Sequence, residues 1–588
     1  APVREDAARA YYWPYESREN LHVLLNTFAN RVVWAEGTGS GPATAKGVEV
    51  TLKTGAISTI GATKEVIVSA GALKTPAILE LSGIGNPDIL HKHNISVKVD
   101  LPTVGENLQD QTNSHMDASS NRTLSGGKPV SYPNIYDILG DEAETVGNKL
   151  RANLKKYAEE SAKANGNVMK AADLERLFEV QYDLIFKKNT PVAEILNYAA
   201  DKTLSTEFWS LLPFARGNVH IASANPKQFP TINPNYFMFE WDVESFAAVG
   251  QYIRRSYETK PLSTLVKEAT PGLKNVPQDA SVEQWKEWVF DGNYRSNFHP
   301  VGTAAMMPRA MGGVVDNRLK VYGTSNVRVV DASALPYQVC GHLVSTLYAV
   351  AERAAELIKA DAAAVGTSSE SSSGTSSSSG TSESSSYDYI VIGGGTSGLT
   401  VANRLSEDPN VNVLIIEAGD SVLNNPNVTT VDGYGLAFGT EIDWQYQSVN
   451  QTYAGNVPQV LRAGKALAGT SAINGMAYTR AEDVQIDAWE TIGNEGWTWK
   501  NLFPYYLKSE NFTKPTKTQL ELGASYNLEY NGENGPLNVA FTKLESNSLT
   551  TYLNRTFQAM GLPWSKDLNG GKMRGFNIFP ATINYEEY

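Results

Sequence analysis

The stretch YDYIVIGGGTSGLTVANRLSEDPNVNVLIIEAG, residues 387–419, constrains this chain more than any other. Residues 387–392 alternate and end apolar, the pattern of a buried parallel strand. Three glycines follow at the spacing G-x-G-x-x-G: Gly393, Gly395 and Gly398. The first permits a tight turn, the second lets the backbone approach a pyrophosphate, and the third lets a helix pack closely on the strand. That helix, opening at Thr396 and Ser397, turns free N–H groups and the positive end of its dipole toward the phosphates. A second strand ends at Glu417, about 20 residues past the glycines, where a carboxylate accepts ribose hydroxyls. The expectation is a dinucleotide-binding α/β unit. The motif does not choose between flavin and nicotinamide dinucleotides, and the acid argues against a 2′-phosphate.

The position of this unit is unusual. It begins two-thirds of the way along the 588 residues, behind GTSSESSSGTSSSSGTSESSS at residues 366–386. That tract has no apolar residue to bury, so it reads as a flexible linker with an r.m.s. span of about 25 Å. It is either a hinge between independent domains or a tether joining two former chain ends. Residues 343–360 before it form an amphipathic pattern, with Leu347, Val350, Ala351, Ala354, Leu357 and Ile358 at helical spacing, suited to the end of a domain. The first residues look like the middle of something: 4–12 read as helix, and 21–34 and 46–68 as strands, with no fingerprint of their own. Short strands at 63–71 and 327–333 suggest a parallel sheet, and the helical stretch 142–188 a second region.

Composition narrows the function classes. A net charge of −13 without a basic run excludes nucleic acid and anionic membranes as natural partners. No run of eighteen apolar residues is present to span a membrane, and the first residues lack the apolar core of a signal peptide. Cys340 is the sole cysteine, which excludes an intrachain disulfide and a cysteine metal cluster. His91 and His93 have no further ligands near them in sequence, and no metal is expected. Six N-x-S/T sequons, at Asn94, Asn121, Asn427, Asn450, Asn511 and Asn554, allow secretion and glycosylation without showing either.

Three further segments are informative: GKALAGTSAINGMAYTR at 464–480; GALKTPAILELSGIG at 71–85 with VGENLQDQ at 104–111; and 293–336, containing NYRSNFHPVG and VRVVDASALP, followed by CGHLVSTLYAV from 340. Together with the fingerprint they resemble the glucose-methanol-choline (GMC) oxidoreductases, nearest to the fungal FAD-dependent glucose dehydrogenases. The resemblance implies an α/β fold: a Rossmann-like FAD-binding domain plus an α+β substrate domain with an antiparallel sheet. In that family the fingerprint comes first and the histidine segments last. Here 387–588 carry the beginning and 1–365 the rest, so the chain reads as a circular permutant, engineered rather than natural, with 366–386 joining the original ends. The implied division is 387–480 for the fingerprint part of the FAD domain, 481–588 with 1–18 for substrate-domain and cap elements, 19–112 for a second FAD part, 113–311 for the substrate domain and 312–365 for the last FAD part.

The resemblance also assigns residues. It implies His299 as general base, with His342 bonding the same hydroxyl; the two roles are open to exchange. A neutral imidazole suits removal of an alcohol proton while the carbon delivers hydride to the flavin. Alongside the fingerprint residues, FAD contacts are implied at Gly464, Gly469, Thr470, Asn474, Gly475, Met476, Ala477, Asp331, Ala332, His342 and Leu343. A helix starting at Leu343 points its positive end at charge developing on the reduced flavin. Arg295 and Asn297 precede His299 by four and two residues, so an extended segment turns all three to one face; Glu207 and Tyr434 complete the sugar site. One departure is Ala468, where the family has a second glycine beside Gly469. Alanine there is strained if φ is positive.

The expected reaction is oxidation of β-D-glucose at C1 to the lactone, with electrons leaving to a quinone or artificial dye. Alternatives are glucose oxidase, another GMC alcohol or sugar oxidoreductase, a lyase retaining FAD without redox turnover, and a fusion of two unrelated domains. Secretion is implied only by the relatives.

Overall fold

A computed structural model describes residues 2–37, 41–126, 128–369, 386–544 and 548–585. Two seven-stranded sheets organise it. The first is built on strand Ser386–Ile392, whose last four residues are fully apolar and buried. It pairs in parallel with Val413–Ile416 on one side and Ile57–Val68 on the other, and Leu21–Leu24 extends the sheet beyond Val413–Ile416. Val327–Val329 also pairs in parallel with residues 66–68. Strands buried on both faces read as continuous apolar runs, as Val413–Ile416 and residues 390–392 and 66–68 do. The twelve-residue strand Ile57–Val68 serves two neighbourhoods: its end joins the parallel core, and residues 57–61 pair antiparallel with Ala45–Thr51, which in turn pairs with Phe28–Trp34.

The second sheet is antiparallel, in the order Val266–Thr270, Thr112–Ser120, Thr203–Ser210, Ala193–Ala200, Pro129–Tyr132, Gly575–Ile578, with Arg295–Ser296 also on Thr112–Ser120. Helices Ala143–Ala164, Ala171–Phe186 and Glu240–Glu258 accompany it. Among the described residues, no helix is long and apolar enough to cross a membrane.

Local expectations needed three corrections. Helix was expected over 4–12; it covers Ala7–Tyr11, capped by Asp6 Oδ1 accepting from Ala8 N and Arg9 N at 3.0 Å, while Val3–Arg4 is a strand. The Asp cap halts the helix short of Arg4. The stretches 21–34 and 46–68 each break into two strands. Helix Leu343–Ser369 continues into the serine-glycine tract; residues 370–385 of that tract lie outside the described residues.

Strand Val3–Arg4 pairs antiparallel with Ile583–Asn584, so residues 2–5 and 582–585 form one patch of backbone. This adjacency is compatible with a circularly permuted chain.

Candidate active site

One cavity of ≈460 Å³ lies between the sheets, within the range of cofactor and ligand sites. Gly393, Gly395, Thr396, Ser397, Glu417, Gly464, Gly469, Thr470, Asn474, Gly475, Met476, Ala477, Asp331, Ala332 and Leu343 line it. So do His299, His342, Arg295, Asn297, Glu207 and Tyr434.

Gly398 is absent from the lining. A Cβ there would stand 2.0 Å from Gly393 O, so this glycine serves helix–strand packing. Gly393 has φ +106, and a Cβ on it would meet Ser69 O at 2.4 Å. Gly395 is the N-cap of helix Thr396–Leu405 and has no side-chain capping bond. The first-turn N–H groups therefore face the cavity side of an uncapped terminus, as an anion site requires. A Cβ on Gly469 would stand 2.7 Å from Gly395 Cα, so two bare glycine backbones touch here. Glu417 is buried, its oxygens accepting from Gly394 N at 2.8 Å and Gly419 N at 2.7 Å. Burial pushes its pKa up to about 7 against the pull of those bonds. Asp331 spends its carboxylate internally, on Gly71 N, Thr75 Oγ1 and Ser333 N, and so shapes the wall from within. Ala468 has φ +103 and is buried, so the strained possibility is the one realised.

The antiparallel sheet builds the other end. Glu194 lies opposite Trp209 and Leu196 opposite Glu207, and Arg295 shares Asn113 as partner with Trp209. Directly paired residues share a face, so Leu196, Glu207, Trp209 and Arg295 all line the cavity. Arg295 pairs with Glu207 at 3.1 Å and lies over the Phe298 ring at 5.1 Å. The extended alternation expected through 295–299 fails at Phe298, which has φ +61. The kink lets Phe298 reach the cavity along with Asn297 and His299.

His299 and His342 meet edge to face, 5.4 Å between ring centroids. His299 Nδ1 lies 2.8 Å from Gln111 Oε1 and 3.0 Å from Asn297 Nδ2. Gln111 donates its own amide to Leu211 O, and Asn297 Nδ2 has the same Gln111 oxygen at 3.3 Å. The consistent assignment puts the proton on His299 Nδ1, donated to Gln111, and leaves the lone pair on Nε2. Buried Asp110 holds the segment from behind: it accepts from His299 N at 3.0 Å and from the hydroxyls of Ser296 and Tyr236. Gln338 Nε2 donates to His299 O at 2.6 Å. Burial, then His342 and Arg295, hold the His299 pKa well below the usual imidazole value. His342 differs. Its Nε2 is 2.9 Å from the fully buried Glu194 carboxylate, and its main-chain N–H donates to Thr479 Oγ1 at 2.9 Å. Glu194, Gln111 and Asp110 were not anticipated as site residues from the sequence; the one signal was that Asp110 and Gln111 close the 104–111 segment. Phe28, Trp444 and Tyr446, also unanticipated, line the nucleotide end.

Two family descriptions match the chain, both of GMC oxidoreductases: the N-terminal domain over residues 2–113 and 387–585, and the C-terminal domain over 213–351. The N-terminal match, in two pieces around the C-terminal one, is compatible with permutation. The chain is 44% identical over 359 residues to the glucose oxidase-like protein fsoC of Humicola fuscoatra, covering 61% of this chain and 60% of that protein. It is 36% identical over 363 residues to glucose oxidase of Penicillium chrysogenum, covering 61% and 59%. The matches thus span about three-fifths of these relatives. A fungal aryl-alcohol oxidase structure superposes with TM-score 0.52 at 26% identity, over 57% of this chain and 61% of that one. The bare glycine pair, the uncapped helix terminus and the buried acid fit the pyrophosphate and ribose of FAD. With the N-terminal description alone covering more than half of its residues, this chain belongs to the GMC oxidoreductases, a flavoprotein with FAD as its cofactor.

Proposed function

We propose that the protein oxidises the C1 hydroxyl of β-D-glucose to glucono-1,5-lactone and passes the electrons to a quinone or dye acceptor. The observation that carries this reading is the convergence of His299, His342 and the Arg295–Glu207 pair on one cavity wall. A polyhydroxylated substrate needs several fixed polar partners, because each one left unpaired on a wrong substrate costs binding. Arg295, Glu207, Asn297 and Tyr434 supply donors and acceptors for sugar hydroxyls.

His299 acts as the base. The Nδ1–H bond to Gln111 presents the Nε2 lone pair, and the depressed pKa keeps the ring neutral at neutral pH. His342 is built the other way. The buried Glu194 carboxylate accepts its Nε2–H at 2.9 Å, leaving Nδ1 for the substrate oxygen. The pair thus divides into a proton acceptor and a carboxylate-oriented partner that positions the oxygen as it loses its proton. FAD, held by the glycine pair and the Thr396 helix terminus, would supply the two-electron acceptor, and His299 takes the hydroxyl proton. The FAD-binding division at 387–480, 19–112 and 312–365, and the substrate division at 113–311 and 481–588 with 1–18, are proposed on the same basis.

A second reading, with O₂ as acceptor, draws on the names of the relatives, two of which are glucose oxidases or resemble one. Steady-state assays decide both points. Glucose with a quinone or dye should turn over and yield lactone, well above choline or an aryl alcohol. Oxygen uptake as fast as dye reduction would favour the oxidase, and preferred turnover of an aryl alcohol would overturn the glucose assignment.

A further inference from the structure

Residues 474–476 form a turn in the cavity wall, and its geometry is an unfavourable one. Met476 stands at φ +61, in the left-handed region that suits glycine. Two bonds hold it there: Met476 N donates to Asn474 Oδ1 at 3.1 Å, and Met476 O accepts from Thr582 N at 2.9 Å. Asn474 is in turn held by Arg4. Arg4 Nη1 donates to both Asn474 O and Asn474 Oδ1 at 2.7 Å, and also to Ser471 O at 3.2 Å. Arg4 Nε donates to Val428 O at 2.8 Å.

Arg4 is 1% exposed. A guanidinium removed from water is costly unless its donors are met, and burial lowers its pKa to about 10. Here its bonds join two segments far apart in sequence, Val428 of the short helix Pro426–Thr429 and the stretch that runs from Ser471 to Asn474. The backbone around it extends the same contact. Val3–Arg4 pairs with Ile583–Asn584, Glu5 N donates to Thr582 O at 2.9 Å, and Ala7 N donates to Ser471 Oγ at 3.0 Å. Thr582 therefore bridges Glu5 and Met476 through its own N–H and C=O.

We propose that Arg4 is a positioning residue of the cofactor site: it clamps the 474–476 turn, so that docking of residues 3–7 and closure of the cofactor wall are one event. With Asn474 free to rotate, only the Thr582 bond would be left to hold Met476 in the left-handed region, and Thr582 is itself tied to the docked segment through Glu5 N. FAD retention then depends on a side chain outside the cavity lining.

The test reads FAD release from the loaded protein by the recovery of free-flavin fluorescence, with no substrate present. Arg4→Met should speed release by at least about tenfold. In a Met476→Gly background, where the positive φ carries no strain, the same substitution should have less than half that effect on a logarithmic scale. Release within about twofold of the unaltered protein, or an effect undiminished by Met476→Gly, would overturn the proposal. Hydrogen exchange on the unaltered protein is a test that needs no variant. Removing FAD should lower protection of the Glu5, Ala7 and Met476 amides together, each by about tenfold, and leave helix Ala171–Phe186 unchanged. Loss at Met476 with Glu5 and Ala7 unmoved would contradict the clamp.

Discussion

The two ends of the cavity are made of different material. The nucleotide end is backbone: glycines that touch, an uncapped helix terminus, and an acid whose oxygens are held by main-chain N–H groups. The histidine end is side chain: two imidazoles, each oriented by a partner remote in sequence, Gln111 just before strand Thr112–Ser120 and Glu194 on strand Ala193–Ala200. A backbone site is fixed by whichever residues allow the chain path, so its tolerance is decided by space. A side-chain site is fixed by hydrogen bonds, so its tolerance is decided by chemistry. The two should fail in different ways, through loss of fold and FAD at one end and loss of rate with FAD retained at the other.

The largest expected effect separates them. His299→Ala should lower the rate of flavin reduction by about 10²–10⁴-fold, the range for losing a general base, with FAD content unchanged. Rapid-mixing absorbance checks both at once. Next comes Gly398→Ala. Its Cβ would stand 2.0 Å from Gly393 O, and overpacking of this kind costs about 1–3 kcal/mol. By contrast a Cβ on Gly395 has its nearest neighbour at 3.7 Å, so Gly395→Ala should melt close to the unaltered protein without FAD and differ only in FAD affinity. Calorimetry with and without FAD compares the two.

Glu194→Gln tests the histidine end more gently. It keeps a hydrogen bond to His342 and removes the charge, and the expected fall in kcat is about tenfold, equivalent to roughly 1.4 kcal/mol. Ala468→Gly is the smallest change. Relief of φ +103 should raise stability by about 1 kcal/mol in denaturant unfolding.

The pH profile sharpens the comparison further. His299 has a folded pKa below its unfolded value, so the unfolded chain binds more protons between the two. Stability from this group is therefore complete above the ordinary imidazole pKa and is lost as pH falls toward the depressed one. As the proposed base, His299 stays neutral through the same window, so kcat/KM should hold its plateau below the ordinary imidazole pKa. An acid limb at or above that value, absent in His299→Ala, would show a base in an ordinary environment.

The same contrast explains what the sequence made legible. Gly393 to Glu417 is local, and the strand, turn, helix and acid follow from spacing within one segment. His299 and His342 were reached through motif resemblance. Their partners were not, because Gln111 is 188 positions from His299 and Glu194 is 148 from His342. Nothing in the local pattern around Gln111 or Glu194 signals that the residue will orient a histidine. The Arg4–Asn474 clamp spans 470 positions and was hidden further, because residues 4–12 carry a helical pattern that Asp6 ends early. Ala468 was legible in part: the missing glycine was visible, and only the observed φ of +103 shows that the position is strained.

Anaerobic addition of glucose to the FAD-loaded protein tests the central claim most directly. The account predicts prompt loss of the visible absorbance of oxidised flavin, with one lactone formed per flavin. Unchanged absorbance with glucose, in protein that retains its FAD, would contradict it.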